Sequence, residues 1–353
     1  MSKRIIAMLL ALVMVFALCA CGGGNGGNGS ASDDVGDETY TIRIACENSD
    51  SYPATLGLYQ MEKYVESHTN GKVQVEVCAS GQLGGEEETL EQVAQGNLEM
   101  AVASFAPVVS YVPEFEVMDI PFVYNSYAEA WMVLDSYVGT NLLDKMEAQG
   151  LKGLAYMENG MRQVTSNVSA INSVSDFKGV KLRTMQNNNH MESFSALGAN
   201  PTPVAFSELY ISLSQKVVEA QENPIANVTD KKLYEVQKYL SLTNHIYDAM
   251  PLVCNLEFFN SLPQAYQKVV QAGAIYAQEF SRFCNLERED LILADLADKY
   301  GMQINEVSAD ARAEMAAVAQ PAVMKLVAKD IGQDVVDQYM KDVKDVLAQV
   351  GKF

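Results

Sequence analysis

The sequence predicts an α/β protein of two domains, and three features carry that expectation. Residues 39–104 alternate strand and helix patterns, the order that winds helices around a parallel sheet. A second alternating unit starts near Asn159. From Leu262 to Tyr300 the pattern is almost wholly helical. A run of about 38 residues exceeds ordinary globular helices, so it reads as one helix, or two, crossing both domains.

The elements follow in order. Thr39 to Cys46 (TYTIRIAC) alternates polar and apolar residues, as a strand does. Tyr52 to His68 carries Leu56, Tyr59, Met61 and Val65 at helical spacing, and Gly71 ends it. Lys72 to Cys78 (KVQVEVC) alternates again. Glu86 to Gln95 is a helix with acids in its first turn, where the helix dipole favours them, and Gly96 stops it. Leu98 to Ser104 reads as a short buried strand. In the second unit, Arg162–Ser166, Val180–Thr184 and Val217–Ala220 are strand candidates. Met191–Leu197, Ser207–Gln215 and Leu233–Tyr239 are helical, and Ala249–Asn255 reads as a strand returning to the first sheet. Residues 309–350 are helical, with Pro321 expected to kink or break them. No internal repeat is visible. A cleft between two such domains is the default ligand site.

The amino terminus speaks to compartment. Lys3 and Arg4 precede an uncharged apolar run of 14 residues, Ile5 to Leu18, and then Cys19-Ala20-Cys21. That is the layout of a secretory signal, residues 1–20, too short for the ~20 residues of a spanning helix. Leu18-Cys19-Ala20-Cys21 resembles a bacterial lipobox with Cys21 as the lipidated residue. Residues 21–38 are mostly Gly, Asn, Ser and Asp, too poor in apolar groups to offset ordering entropy, and read as a flexible tether. GGGNGGNG lacks the strand and helix that flank a phosphate loop.

Formal charge is −20, and −20 − 2 = −22 without Lys3 and Arg4. Such acidity repels nucleic-acid phosphates, so no nucleic-acid partner is expected. It does not make the ligand a cation, because a local Arg can dominate one pocket. Cys46, Cys78, Cys254 and Cys284 match no metal spacing, and the three His (68, 190, 245) form no HExxH pair. No cofactor is expected. Cys46 and Cys78 each end a predicted strand, so a bridge between them stays open beside buried free thiols.

The stretch 159–263 resembles the solute-binding proteins of tripartite ATP-independent periplasmic (TRAP) transporters, the DctP family. The carrying segments are NGMRQVTSN (159–167), SDFKGVKLRTMQN (175–187), GANPTPVAFSELYISL (198–213), EAQENP (219–224) and LYEVQKYLSLTNH (233–245). GKVQVEVCASGQLGGEEETLEQVAQGNLEMA (71–101) and VMDIPFVY (117–124) add the first half. The likeness is closest to the sugar-acid and sialate binders. It implies a two-lobed periplasmic-binding-protein-like α/β fold with crossing strands and a long interdomain helix, closing on a carboxylate. The expected lobes are 39–159 with 249–288, and 160–248 with 289–353, hinged near 124–160 and 245–260. The implied partners are a small-molecule carboxylate and the membrane permease subunits, with lipid anchoring on the outer face of the cell membrane, periplasmic where an outer membrane exists. No catalysis is implied.

The same resemblance assigns site residues. Arg183 of KLR is expected to pair with the ligand carboxylate, which suits a planar fork of two parallel donors. Arg162 matches a second Arg approaching that group. Asn223 of QENP matches an amide bonding the acid, Phe206 a ring packing on it, and Glu86 an acid bonding hydroxyls. Four further candidates rest on the residues themselves. Gln186 and Asn187 form an amide-rich loop suited to hydroxyls. Glu47 ends the first strand, where open α/β sheets bind ligands. His190 could reach the cleft from a helix start. Against the sialate pattern, this chain has Ser104 and Pro107 in place of an acid and an Arg, and Met250 in place of a Gln. A shorter sugar acid such as a uronate is therefore favoured, with a C4-dicarboxylate second. A secreted hydrolase is disfavoured, since nothing resembles G-x-S-x-G or a metal cluster. A sensor subunit would share this fold and site, and neighbouring permease genes would separate the two.

Overall fold

The computed structural model describes residues 38–349. The signal segment 1–20, the lipidation site Cys21 and all but the last residue of the expected tether lie outside the described residues. The first half runs β1 (Tyr40–Ala45), α1 (Pro53–His68), β2 (Val73–Cys78), α2 (Glu86–Ala94) and β3 (Met100–Val102). Short helices α3 (Phe105–Val108), α4 (Tyr127–Leu134) and α5 (Tyr137–Lys145) follow, with a 3-10 turn at Pro113–Asp119. The 16-residue strand β4 (Leu151–Ser166) then leads into β5 (Lys181–Thr184), α6 (Asn188–Ala196) and β6 (Asn200–Pro203). Next come α7 (Leu209–Ser214), β7 (Ala220–Pro224), α8 (Ile225–Asp230), β8 (Tyr239–Leu242) and β9 (Tyr247–Asn255). The chain closes with α9 (Leu256–Ser261), the 35-residue α10 (Gln264–Asp298), β10 (Gln303–Glu306), α11 (Ala309–Ile331) and α12 (Gln333–Leu347).

Two sheets share one strand. The first runs β2-β1-β3-β9-β4, with β1 parallel to β2 and β3, and β9 antiparallel to β3 and β4. The second runs β4-β7-β5-β6, and β8 pairs with both β4 and β10. Residues 151–161 of β4 pair with β9, and residues 162–166 pair with β7 and β8. The change of partner falls at a register shift at Gly160, whose φ is 129°. A Cβ there would meet Pro224 Cβ at 3.2 Å and the Tyr127 hydroxyl at 3.3 Å. The bend thus needs a residue with neither side chain nor negative φ.

Each sheet is covered on both faces, as mostly parallel sheets must be. Period-2 alternation divides β1 between two cores. Ile42 and Ile44 join Leu58, Met61 and Ala277, while Ala45 joins Leu90, Phe105 and Phe115. The second sheet packs Leu182 with Phe177 and Phe194 on one side, and Leu240 with Leu209 and Leu296 on the other.

Several expectations need correction. Leu233–Tyr239 is not a helix: one turn at Leu233–Glu235 follows Lys232 in a left-handed conformation (φ 52°), and β8 starts at Tyr239. There Leu240 is fully buried and pairs with Thr165, so sheet pairing overrides the helical spacing. The Val217–Ala220 strand begins only at Ala220 and extends to Pro224. Pro321 does not end its helix, which continues to Ile331; Ala319, Val323 and Val327 are buried on both sides of it. The break comes at Gly332 instead (φ 102°). Residues 289–353 do not all serve the second half. The apolar stripe of α12 (Val336, Tyr339, Val343, Val346) completes the first-half core around Phe115 and Val133. Cys46, Cys78, Cys254 and Cys284 are buried free thiols, so no bridge joins Cys46 to Cys78. No helix among the described residues is long and apolar enough to cross a membrane.

Candidate functional site

A cavity of about 240 Å³ opens where the sheets' parallel strands end. It is small for a ligand site. Its position outside the carboxyl ends of strands is the usual one for open α/β sheets. Glu47 and Asn48 come just after β1, Ser104 after β3, and Arg183 from β5 followed by Met185 and Gln186. Asn223 comes from β7, and Glu86 from the first turn of α2.

Six of the residues singled out from the sequence line this cavity: Arg183, Asn223, Phe206, Glu86, Gln186 and Glu47. Ser104, Pro107 and Met250, where the chain departs from the sialate pattern, line it too. Arg162, Asn187 and His190 do not.

Arg183 is 1% exposed. Its Nε donates to the Val204 carbonyl at 2.8 Å, and its Nη1 is buried with no partner. With no carboxylate touching it, burial pulls this guanidinium down to about 10, only partly offset by the Glu222 charge. Two carboxylates share the cavity wall. Glu86 Oε1 accepts from the Ser104 N–H at 3.1 Å and its hydroxyl at 3.0 Å. Burial, then repulsion from Glu47 and Asp248, pushes Glu86 up to about 8. Glu47 Oε2 accepts from the Glu86 N–H, while its Oε1 is buried without a partner. Burial raises Glu47 also. The Lys231 ammonium sits 4.5 Å from the centre of the Phe206 ring, a cation-π contact beside the cavity.

An amide ladder forms the rear wall, and the sequence reading missed it. Asn48 Nδ2 donates to Asn227 Oδ1 at 2.9 Å, and Asn227 Nδ2 donates to Asn159 Oδ1 and Asn223 Oδ1. Asn159 Nδ2 in turn donates to Asp248 at 2.8 Å, and the Tyr52 hydroxyl donates to Asn159 Oδ1 at 2.6 Å. No helical spacing announced it, since Asn223 ends β7 while Asn227 sits in the first turn of α8.

Behind this wall lies a fully buried ion network. Arg162 donates through Nε and Nη2 to the Glu222 carboxylate, through Nη1 to Asp248 at 2.8 Å, and through Nη2 to Asn223 Oδ1 at 3.3 Å. Burial alone would lower it, but Glu222 and Asp248 hold it raised. The expectation that Arg162 meets the ligand directly therefore gives way to a supporting place: its donors are spent on protein and it steadies Asn223. Burial would also raise the Glu222 carboxyl, yet Arg162, His190 and His245 hold it well below the usual range. Asn187 caps α6, accepting from the backbone N–H groups of Asn189 and His190. His190 Nε2 lies 3.2 Å from Asp119 Oδ1. Among the described residues, no group of His, Cys, Asp and Glu could hold a metal ion.

Residues 44–330 match the bacterial extracellular solute-binding proteins, family 7. The chain belongs to this family. The TRAP resemblance read from KLR, NPTPVAFSELY and QENP is thereby borne out, and the proteins of this family are extracytoplasmic binders of solutes. Its fold is shared with the sugar acid binding protein of Advenella mimigardefordensis in complex with galactonate. That structure is 32% identical, at a TM-score of 0.83 over 88% of this chain and 99% of the other. The 2,3-diketo-L-gulonate-binding periplasmic protein of Escherichia coli is 30% identical over 72% of this chain and 77% of its own length. The C4-dicarboxylate-binding periplasmic protein of Rhodobacter capsulatus is 31% identical over 76% of this chain and 81% of its own.

Proposed function

We propose that this family 7 protein captures a small sugar acid, a uronate or a related acid, and delivers it to the membrane permease subunits of a TRAP transporter. The observation that carries this reading is Arg183, a buried guanidinium with Nη1 unpartnered at the cavity wall. Such a group is costly unless an anion meets it, and a carboxylate fits its fork. Glu47, Glu86 and the asparagine amides suit a chain of hydroxyls, since they accept or donate to hydroxyl groups as needed. Galactonate bound in the Advenella relative supports the same class.

A C4-dicarboxylate is the second reading. The Rhodobacter relative favours it, and so does Glu86. A carboxyl held up to about 8 is protonated at neutral pH and can donate to a second carboxylate. Titration calorimetry with galactonate, glucuronate and succinate separates the two. A sugar acid should bind at least about tenfold tighter than succinate, a gap of ~1.4 kcal/mol. The reverse order replaces the first reading by the second. Silence toward a broad carboxylate panel removes both.

We further propose that Cys21 carries lipid and holds the chain to the outer face of the cell membrane. Cys21→Ser should release the protein into the soluble extracytoplasmic fraction. The lobes 39–159 with 249–288, and 160–248 with 289–353, are proposed to close on the ligand, with α12 riding on the first. X-ray scattering should show a smaller radius of gyration once galactonate is added.

A further inference from the structure

Asp119 ends the 3-10 turn at Pro113–Asp119, whose Val117 and Met118 belong to the first-half core. It is 1% exposed and faces α6, whose Phe194 belongs to a separate core in the second half. Asp119 Oδ2 accepts from Asn187 Nδ2 at 2.8 Å and from Asn189 Nδ2 at 3.2 Å. Asp119 Oδ1 meets His190 Nε2 at 3.2 Å. One carboxylate from one half thus gathers three side chains at the start of a helix in the other. Asn187, Asn189 and His190 are all buried, so these donors have no exchange with solvent.

The held segment leads directly into the cavity. Arg183 is four residues before Asn187, and Met185 and Gln186 between them line the cavity wall. Asn187 fixes that loop twice. Its Oδ1 caps α6 through the N–H groups of Asn189 and His190, and its Nδ2 reaches across to Asp119. We propose that Asp119 is a positioning residue for the binding site: by clamping Asn187, Asn189 and His190 from the opposite half, it sets the 183–187 segment that presents Arg183 and Gln186 to the ligand. The link to ligand rests on the binding function proposed above, while the clamp itself does not.

The charged surroundings are consistent with a clamp. His190 faces Asp119 from the 3-10 turn and Glu222 from β7, with Arg162, His245 and Asp248 in the same buried network. Glu116, on the same turn as Asp119, is a further buried carboxyl in these surroundings, pushed up to about 7 by burial. Burial would lower His190, but the Asp119 and Glu222 carboxylates hold it up to about 9. At neutral pH it is therefore an imidazolium against a carboxylate, a charge-assisted pair.

The test uses the full-length protein without ligand first, then with galactonate as probe. Asp119→Ala removes the clamp and Asp119→Asn keeps shape and one acceptor but no charge. Glu114→Gln, on the same turn but paired with exposed Lys145, serves as control. Hydrogen–deuterium exchange should show roughly tenfold or greater loss of protection confined to 185–191 in Asp119→Ala, less in Asp119→Asn and none in Glu114→Gln. The His190 ring, one of three His in the chain, should titrate nearer the ordinary histidine range by NMR in both Asp119 variants. Galactonate affinity should fall by roughly tenfold or more in Asp119→Ala, the loss of one charge-assisted hydrogen bond. Unchanged exchange and an unchanged His190 titration in both Asp119 variants would overturn the clamp. Loosened exchange with wild-type affinity would overturn its role in positioning the site. If wild-type protein ignores galactonate and every other acid, the proposed function fails, while the exchange and NMR results still decide the clamp.

Discussion

Arg183 and Arg162 are both buried, at 1% and 0% exposure, yet only Arg183 keeps an unpartnered nitrogen at the cavity. Different losses should follow from removing each. Arg183→Ala leaves a ligand carboxylate unpaired in a dry site, at about 2–5 kcal/mol, or roughly 30- to several-thousand-fold in affinity. Arg183→Lys keeps the charge without the fork and should fall between, with calorimetry as the readout. Arg162→Ala strands Glu222 and Asp248 as buried charges, so it should lower folding stability by about 3–5 kcal/mol in urea titration, whatever it does to affinity. Near-wild-type stability in Arg162→Ala would contradict the network described above. Glu86 adds a pH dependence. Held up to about 8, it is mostly neutral at pH 7 and becomes an anion above pH 8. An anionic ligand should therefore bind more weakly as pH rises from 7 to 9, and Arg183, pulled down to about 10, adds in the same direction at the upper end. Glu86→Gln should flatten the profile between pH 7 and 9. At this scale the sequence showed which residue types meet, since the KLR and QENP segments carry Arg183 and Asn223. It did not show which guanidinium stays unpaired. Glu222 and Asp248 are 60 and 86 positions from Arg162, and no local pattern relates them.

Among the elements, α10 and α1 show how a long helix is held. A Cβ on Gly57 would meet the Ala277 carbonyl oxygen at 2.5 Å, and one on Gly273 would meet Val65 Cγ2 at 2.9 Å. Backbone cannot move aside as a side-chain tip can. Gly57→Val should therefore cost about 1–3 kcal/mol by overpacking, read as a lower denaturation midpoint at unchanged slope. A wild-type midpoint would mean that α10 does not press on α1 as closely as described. Strand β1, helix α1 and strand β2 were legible because one face is buried and alternation or helical spacing survives in the residues. The first ten residues of β4 were not. They are buried on both faces, apart from Lys152, so nothing alternates. Strand β7 hid for the opposite reason: Gln221, Glu222 and Asn223 are buried polar residues, and Gln221 and Glu222 bond Thr165 and Arg162, which are remote in sequence. Helical spacing in Leu233–Tyr239 misled because Tyr239, Leu240 and their neighbours were needed as a strand between β4 and β10.

For the whole molecule, buried ionisable groups set how stability responds to pH. Burial raises Glu86 and Glu158 to about 8, and Asp119 with Glu222 raises His190 to about 9 against the burial that would lower it. A folded value above the unfolded one means stability that is full below the unfolded value and lost as pH rises through the folded one. The carboxyls lose theirs between about 4.5 and 8, and His190 between about 6.5 and 9. His245 is lowered by burial and works in the other direction, gaining as pH rises through its own range. Burial raises Glu47, Glu116 and Asp248 as well, so the losses outnumber the gain and predict a melting temperature highest in mildly acid buffer and declining toward pH 9 at constant ionic strength. A flat or rising profile from pH 5 to 9 would refute this. The sequence by itself determined the alternation of strands and helices, the long helix, and the residue types that reach the cavity. These depend on side-chain spacing along a few turns or a few strand residues, which local chemistry fixes. Only the tertiary structure decided that Arg162 is sequestered, that Asp119 reaches across to α6, and that α12 returns to the first core. Each of these depends on groups distant in the chain being brought together and desolvated, and the balance between charge attraction and burial exists only once both have happened.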